Sequence, residues 1–335
     1  MSFINEIVDY RSVSIVGMAK NTGKTECLNY ILNHIKNEGK LFAVTSIGVD
    51  GERIDRVTQS AKPEIEISEG MFFVTSEKHY REKQLTAEII DVSENYTALG
   101  RLVTAKAVTA GKILLSGPSD TRSLKELIVK MKQRGVHTTL VDGAISRFSL
   151  GSPGVTEALI LTTGAALSKS IPELVRKTKY VYDLIQSEVT DQKLSDRLSG
   201  IEKGIWAIDK EGEIHDLQIS SVLSEEFGKE DIFRYGNIIF VAGIVSDNFL
   251  RFLRIQKHNP NITLIVKDFT RIFASSESYY AFLKNGGKLK VALKNKFIGV
   301  CINPQSPDGY QLDSVRLSEA LQESLKIPVY DIKQM

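Results

Sequence analysis

The sequence has few cysteines, no strong excess of charge of one sign and no long hydrophobic run, and each absence excludes a class of protein. Its two cysteines, Cys27 and Cys301, are far apart in sequence, which fits neither a disulfide framework nor a zinc site. The 43 basic and 41 acidic residues give a net charge of +2, which argues against a nucleic-acid-binding protein with a basic face. No window reaches the roughly 18 apolar residues of a membrane-spanning helix, and the first residues lack the pattern of a secretory signal. We therefore expect a cytoplasmic protein that binds neither nucleic acid nor membrane.

Several common catalytic patterns are missing as well. The five histidines are scattered along the chain without the spacing of metal ligands. No G-x-S-x-G nucleophile elbow is present. The guanine-reading motif N-K-x-D of GTPases is also missing, because the Asn295-Lys dipeptide is not followed by the aspartate. This favours ATP over GTP as a ligand, although GTP is not excluded.

The chain does show a regular alternation of predicted strands and helices. A β-branched run at 13–15, a helical stripe over 28–35 and a buried run at 41–47 form a βαβ unit. Residues 53–111 contain short β-like runs with little helical periodicity, which predicts a β insertion in the sheet. Parallel character then returns with predicted strands at 112–115, 138–141 and 158–161. The pattern indicates an α/β fold with a mostly parallel, doubly wound sheet.

Length and polarity predict two domains. A chain of 335 residues is long enough for about two domains of roughly 150 residues each. Residues 191–200 are polar and weakly periodic, which predicts a linker. We therefore expect a nucleotide-binding domain over 1–195 and a second, smaller α/β domain of unknown role over 196–335.

The most informative segment is 17–25, GMAKNTGKT, which lies between the first predicted strand and the first predicted helix. A glycine-containing loop in this position presents backbone N–H groups to phosphate oxygens at the start of a helix. We expect Lys24 to contact the terminal phosphates and the Thr25 hydroxyl to bind Mg²⁺. Five residues separate the glycines, where the usual pattern has four. The residues expected to contact the nucleotide are Gly17, Ala19, Lys20, Asn21, Thr22, Gly23, Lys24 and Thr25.

Acidic residues follow two of the predicted strands. Asp142 ends the buried run 138–141, where a Walker B aspartate holds Mg²⁺ through water. Asp50 and Glu52 follow the second strand at the same carboxyl edge, where ligands bind in doubly wound sheets. Either residue would orient an attacking water or complete the metal shell, unless the segment is simply a solvated acidic turn. The turn 116–119, SGPS, faces this edge too and either lines the site or is only a turn.

Five segments together resemble one known family: 16–25 (VGMAKNTGKT), 45–52 (TSIGVDGE), 97–100 (TALG), 141–144 (VDGA) and 302–310 (INPQSPDGY). The family is the P-loop component of the reactivase for lysine 5,6-aminomutase and ornithine aminomutase, enzymes that use adenosylcobalamin and pyridoxal phosphate. The glycine spacing is also similar to that of dethiobiotin synthetase and the cobyrinic acid amide synthases. That class often binds ATP at a dimer interface, so the resemblance implies a homodimer. Lys20 is displaced by one position from the extra loop lysine of that class.

The resemblance implies Mg-dependent ATP binding and hydrolysis that reactivate an adenosylcobalamin-dependent aminomutase. It also implies a partner subunit similar to MutS ATPases. An ATPase can drive expulsion of a damaged cofactor if one nucleotide state binds the open mutase better than the other. Two alternatives stay open. In the first, the chain is an ATP-dependent ligase or kinase of the dethiobiotin synthetase type that acts on a small acid. In the second, it is a nucleotide-sensing regulator with little hydrolysis.

Overall fold

The computed structural model describes residues 3–35, 39–47, 64–144, 152–223, 231–256 and 261–334. The chain divides into two compact units. Unit 1 combines Met1–Lys179 with Asn295–Met335, and unit 2 is Tyr180–Lys294. This division differs from the predicted boundary near residue 195, because the C-terminal residues return to unit 1, where Val300 pairs with Leu161.

The strands of the described residues are short and mostly buried. In chain order they are β1 Ser12–Gly17, β2 Leu41–Ser46, β3 Ile65–Ile67, β4 Phe72–Ser76, β5 Ala87–Thr97, β6 Gly100–Ala107, β7 Gly111–Ile113, β8 Val136–Ala144, β9 Ala158–Gly164, β10 Glu188–Val189, β11 Ile205–Ile208, β12 Ile214–Ile219, β13 Ile238–Val241, β14 Val245–Ser246, β15 Thr263–Val266, β16 Ile272–Phe273, β17 Lys288–Val291, β18 Lys296–Asn303 and β19 Val329–Asp331.

The helices of the described residues alternate with these strands. They are α1 Phe3–Ile7, α2 Lys24–His34, α3 Glu77–Arg81, α4 Thr121–Gln133, α5 Ile171–Ile185, α6 Gln192–Ser199, α7 Asp247–Ile255, α8 Ser276–Lys284 and α9 Ser314–Leu325. Within the part of the chain that the structure describes, none of them has the length and apolar character needed to cross a bilayer.

Unit 1 is built on a large sheet in which the described strands follow the order β19-β18-β9-β1-β8-β2-β4-β6-β5. The strands from β19 to β4 run parallel, and β6 and β5 are antiparallel to their neighbours. The predicted α/β class with a mostly parallel sheet is therefore confirmed. β1 lies between β8 and β9, so the chain leaves it toward β2 on one side and returns later as β9 on the other. Ligands of open α/β sheets bind at such a switch point, outside the carboxyl ends of the strands.

Helices cover the two faces of the large sheet because its strands are apolar on both sides. On one face, Ile15 of β1 packs with Leu28 and Ile31 of α2 in the main buried cluster. On the opposite face, Met131 of α4 packs against Val74 of β4. Burial on both faces explains why these strands read as continuous apolar runs in the sequence.

The predicted β insertion is present where the structure describes it, but the strand predicted to follow it is not part of the large sheet. β4 takes the position beside β2, and β6 and β5 extend the sheet from there. The predicted third parallel strand at 112–115 is wrong, because Gly111–Ile113 instead pairs antiparallel with Ile65–Ile67 in a separate ribbon. Residues 53–63 of the predicted insertion lie outside the described residues.

Unit 2 has a smaller sheet whose described strands follow the order β10-β17-β15-β13-β11-β12. The first four are parallel, and β11 and β12 form an antiparallel hairpin. The predicted linker over 191–200 is instead helix α6. Asp191 accepts a hydrogen bond from the Leu194 backbone N–H at 3.0 Å, and Leu198 is fully buried against the sheet. A helix of eight residues with only two leucines gives too weak a periodic pattern to recognise among polar neighbours.

Candidate phosphate-binding site

The segment 17–25 connects the central strand to the first long helix. β1 ends at Gly17 and α2 begins at Lys24, so the intervening residues form a tight loop at the carboxyl edge. Asn21 and Gly23 both have left-handed backbone conformations, with φ of 60° and 90°. Such angles suit glycine and are tolerated by asparagine. The sequence therefore places residues that accept positive φ where the loop reverses direction.

The side chain of Lys24 folds back over the start of the loop. A Cβ atom placed on Gly17 would lie 2.8 Å from Cγ and 2.9 Å from Cδ of Lys24. The aliphatic stem of the lysine therefore lies directly on the Gly17 backbone, and the side chain is half-buried. Among the described residues, Lys24 has no ion-pair partner. The start of the loop therefore positions the aliphatic stem of Lys24.

The first turn of α2 is not capped by a side chain. Gly23 occupies the N-cap position and has no side chain to accept hydrogen bonds from the first N–H groups of the helix. Side-chain oxygens of Ser or Asp residues cap α3, α4, α6, α7, α8 and α9, through Ser76, Asp120, Asp191, Ser246, Ser275 and Asp313. The N–H groups at the start of α2, at the positive end of the helix dipole, therefore suit an anion.

Thr22 holds the loop together from the inside. It is fully buried, and its hydroxyl donates to the Ala19 carbonyl at 2.9 Å. The same Oγ1 atom lies 3.3 Å from Oγ1 of Thr162 on β9. The Met18 N–H donates to the Thr162 carbonyl at 2.9 Å, which fixes the first residue after the strand. The Thr22 side chain is thus committed to the loop interior, while Lys20 is exposed at the tip.

Asn303, at the end of β18, is a second tether that sequence reasoning missed. Its Nδ2 atom donates to the Asn21 carbonyl at 3.4 Å, and the side chain is buried. A Cβ on Gly23 would lie 2.8 Å from Cβ of Asn303, so the absence of a side chain at Gly23 allows the two segments to meet. The only signal in the sequence was the place of Asn303 in the segment 302–310, which carried the family resemblance.

Asp142 lies near the start of α2, as the metal hypothesis requires. It is on β8, in register with Ile15 of β1 and with Ser46 of β2, and it is half-buried. Its negative charge is one of the causes that raise the pKa of Cys27 in the first turn of α2. Asp142 and Thr25 therefore lie on two elements that are in contact, strand β8 and helix α2.

The donor set fits Mg²⁺ bound together with a phosphate ligand, but not a metal held by protein alone. Among the described residues, no group of three His, Cys, Asp or Glu side chains could hold a metal ion. Mg²⁺ in nucleotide sites keeps several waters and takes one or two protein oxygens besides the phosphates. One hydroxyl from Thr25 and one carboxylate from Asp142 correspond to that pattern.

The remaining candidates from the sequence are the acidic residues Asp50 and Glu52 and the turn 116–119. Asp50 and Glu52 lie outside the described residues, so their predicted roles stay predictions. The turn 116–119 packs against β2, because a Cβ on Gly117 would lie only 1.5 Å from the Ser46 carbonyl oxygen. The hydroxyl of Ser116 is bonded to Nδ1 of buried His79 at 2.6 Å. The turn is therefore at the predicted edge, although the Ser116 side chain points into the protein.

The two cysteines are in contact despite their separation in sequence. Sγ of Cys27 on α2 lies 3.4 Å from Sγ of Cys301 on β18, and both residues are buried as free thiols. The hydrogen bond to Cys301, followed by burial, raises the pKa of Cys27. Their distance in sequence gave no sign of this contact, which arises because α2 and β18 are packed together in the main buried cluster.

Comparison of the chain with protein-family models, with curated proteins and with solved structures finds no match. What this site does is therefore inferred from its own geometry and from the sequence motifs.

Proposed function

We propose that the loop 17–25 binds the phosphates of a nucleotide together with Mg²⁺, as in P-loop NTPases, and that the chain hydrolyses this nucleotide. The observation that carries the proposal is the Lys24 side chain, folded over Gly17 at the uncapped start of α2. A positive group and several N–H donors then converge on one concave loop, and phosphate is the ligand that matches both. ATP is the expected nucleotide, since no guanine-reading motif is present.

Each residue of the loop has a distinct role in this proposal. The ammonium group of Lys24 would contact the terminal phosphates, and the backbone N–H groups around Gly23 would hold the remaining oxygens. Thr25 and Asp142 would hold the metal, the latter through water. Mg²⁺ bound with the nucleotide neutralises charge that develops on the phosphates during hydrolysis. Asp50 or Glu52 is proposed to orient the attacking water.

A lysine-specific substitution tests the proposal. Calorimetric titration with ATP and Mg²⁺ would compare wild-type protein with Lys24→Ala and with Lys125→Ala, which removes an exposed lysine from α4 of the same unit. We expect Lys24→Ala to weaken binding at least tenfold and to abolish phosphate release, while Lys125→Ala changes neither. Equal affinity in the two variants, or no heat with any nucleotide for wild-type protein, would refute the proposal.

We further propose that nucleotide turnover serves the reactivation of an adenosylcobalamin-dependent aminomutase, together with a MutS-like ATPase subunit. Support for this role comes from the five sequence segments that resemble the reactivase family. Because an ATPase acts on a partner only through a difference in affinity between nucleotide states, the mutase should bind one state preferentially.

Affinity capture of partners with the tagged chain tests this role. Beads carrying the chain would be exposed to cell extract in the presence of ATP or of ADP. Recovery of a cobalamin-dependent mutase in one nucleotide state is expected. Its absence in both states, while the chain still hydrolyses ATP, would refute the reactivase role and leave nucleotide hydrolysis intact.

A further inference from the structure

Unit 1 contains a cavity of about 360 Å³ that is separate from the phosphate loop. Its floor consists of strands β4, β5 and β6, and its wall is helix α4. We call it the α4 cavity. This volume is within the range of small-molecule sites, which are usually concave, partly apolar and equipped with a few polar groups. Pro118 and Ser119, from the turn 116–119, form part of its rim together with Asp120.

The wall of the α4 cavity is one stripe of the helix. Ser123, Glu126, Leu127 and Lys130 line it at spacings of three, four and seven residues, so they share one face. This stripe is polar except for Leu127, unlike the neighbouring residues Leu124 and Met131, which are buried against the sheet. Because these polar side chains face the cavity and do not pack against the sheet, they can form hydrogen bonds with a ligand that enters it.

The floor contains a hydroxyl that the protein itself does not use. Thr104 of β6 is only 6% exposed and lines the cavity. Its side chain forms no hydrogen bond with the described residues. The hydroxyl oxygen keeps some contact with solvent, so a ligand can replace the water that it faces. The Thr104 hydroxyl is therefore available to a molecule bound in the cavity.

A carboxylate lies beside this hydroxyl. Asp91 of β5 is the direct cross-strand partner of Thr104, and directly opposed residues have Cβ atoms about 5 Å apart. Arg134 binds Oδ2 of Asp91 at 3.1 Å, whereas Oδ1 accepts no hydrogen bond from the described residues. One donor group can therefore reach both Oδ1 of Asp91 and the Thr104 hydroxyl.

The charged side chains that line the α4 cavity indicate which chemical class of donor group it would bind. Asp91, Asp120 and Glu126 contribute three carboxylates and Lys130 one ammonium group, while Arg134 and Arg122 pair with Asp91 and Glu126. Hydrogen bonds from the Ser123 backbone and side chain lower the pKa of Asp120, so it stays ionised near neutral pH. Val74, Leu102 and Leu127 supply an apolar surface between these groups.

We propose that the α4 cavity binds a small organic amine. Its primary ammonium group would donate to Asp91 and Thr104, and its short hydrocarbon body would lie against Val74 and Leu102. An ammonium group carries three donors and one positive charge, which matches an unpaired carboxylate oxygen and an unused hydroxyl. The site does not depend on the proposed nucleotide function.

Three probes of equal length test the proposal: n-pentylamine, n-pentanol and n-pentanoate, titrated into the full chain while backbone amide shifts are followed by NMR. Saturable shifts are expected with the amine at the residues that line the cavity, and at least tenfold weaker binding with the alcohol and the acid. No saturable shift with the amine, or equal binding of pentanoate, would overturn the proposal.

Two variants and a matched control make the test specific. Thr104→Val keeps the shape and every charge and should weaken amine binding at least threefold, and Asp91→Asn should weaken it at least tenfold. Glu319→Gln changes the net charge equally at an exposed position on α9 and should leave binding unchanged. Because Asp91→Asn also disturbs Arg134, unchanged amine binding by folded Thr104→Val would by itself overturn the proposal.

Discussion

A single methyl group added at Gly17 should separate the folding of unit 1 from the binding of phosphate. The new Cβ would lie 2.7 Å from Oγ1 of Thr22 and 2.8 Å from Cγ of Lys24. Ordinary contacts between such atoms are about 3.5–4.0 Å, so the lysine stem must retreat by about 1 Å. Gly17 is a strand residue without positive φ, so alanine can adopt its backbone conformation. The effect of Gly17→Ala is therefore crowding within the loop and not backbone strain.

The two consequences of Gly17→Ala differ in size. Overpacking of a well-packed site costs about 1–3 kcal/mol, which a protein with the usual 5–15 kcal/mol of unfolding free energy tolerates. Displacing Lys24 removes one charge-assisted hydrogen bond to phosphate, worth about 1.5–3 kcal/mol. At about 1.4 kcal/mol for each tenfold change, ATP affinity should fall about ten- to a hundredfold.

Calorimetric titration with Mg-ATP and urea denaturation would measure both quantities, with Gly200→Ala as the matched control. Gly200 is the C-cap of α6, with φ of −78° and no atom within 4 Å of an added Cβ. That variant should bind ATP like wild-type protein and gain up to about 1 kcal/mol of stability, because alanine restricts the unfolded chain. Wild-type ATP affinity in Gly17→Ala would refute the role given to the Lys24 side chain.

Three further predictions concern other contacts of unit 1. Asn303→Ala removes the tether to the Asn21 carbonyl and should weaken ATP binding several-fold in titrations, whereas an unchanged dissociation constant would show that Thr22 alone holds the loop. The pKa of the Cys27 thiol is raised in the folded protein above its unfolded value of about 8.5. The thiol therefore stabilises the fold fully below about pH 8.5, and this contribution is lost as the pH rises. The urea midpoint of wild-type protein should fall above about pH 8.5, and the midpoint of Cys27→Ala should lack this fall. Asp120→Ala removes the N-cap of α4 and should cost about 1 kcal/mol by urea denaturation, while Asp120→Asn keeps the cap. Since hydrogen bonds to Ser123 lower the pKa of Asp120, its contribution is present above about pH 4 and lost below it, and the Asn variant should lack that loss.

Local periodicity was sufficient for the class of fold and for the position of the loop. Continuous apolar strands such as residues 41–46 and amphipathic helices such as α2 are specified by nearby residues, so their patterns appear in any short window. Strand order is set by pairing between distant segments. For that reason the sequence did not reveal that β4 lies beside β2, or that residues 111–113 pair outside the large sheet.

The division into units was hidden for a similar reason. β18 pairs with β9 although unit 2 lies between them in the sequence, and no local pattern marks a strand as belonging to an earlier sheet. Polar composition suggested a linker over 191–200, where one buried leucine and an aspartate cap are enough to form α6. Composition reports average polarity, whereas a short helix needs only one apolar stripe.

The candidate site itself combines a local motif with remote support. The glycines and Lys24 can be found by reading nine consecutive residues, but the loop is held by Thr162 and Asn303, which lie 140 and 282 residues away from their loop partners. Those two tethers come from β9 and β18, strands that become neighbours only when residues 295–335 return to unit 1. The loop keeps this geometry only if β9 is in register beside β1 and β18 in register beside β9, since a free loop would lose it to conformational entropy. The motif therefore predicts a phosphate-binding loop, and the assembly of the complete sheet determines whether the loop has the geometry that such binding needs.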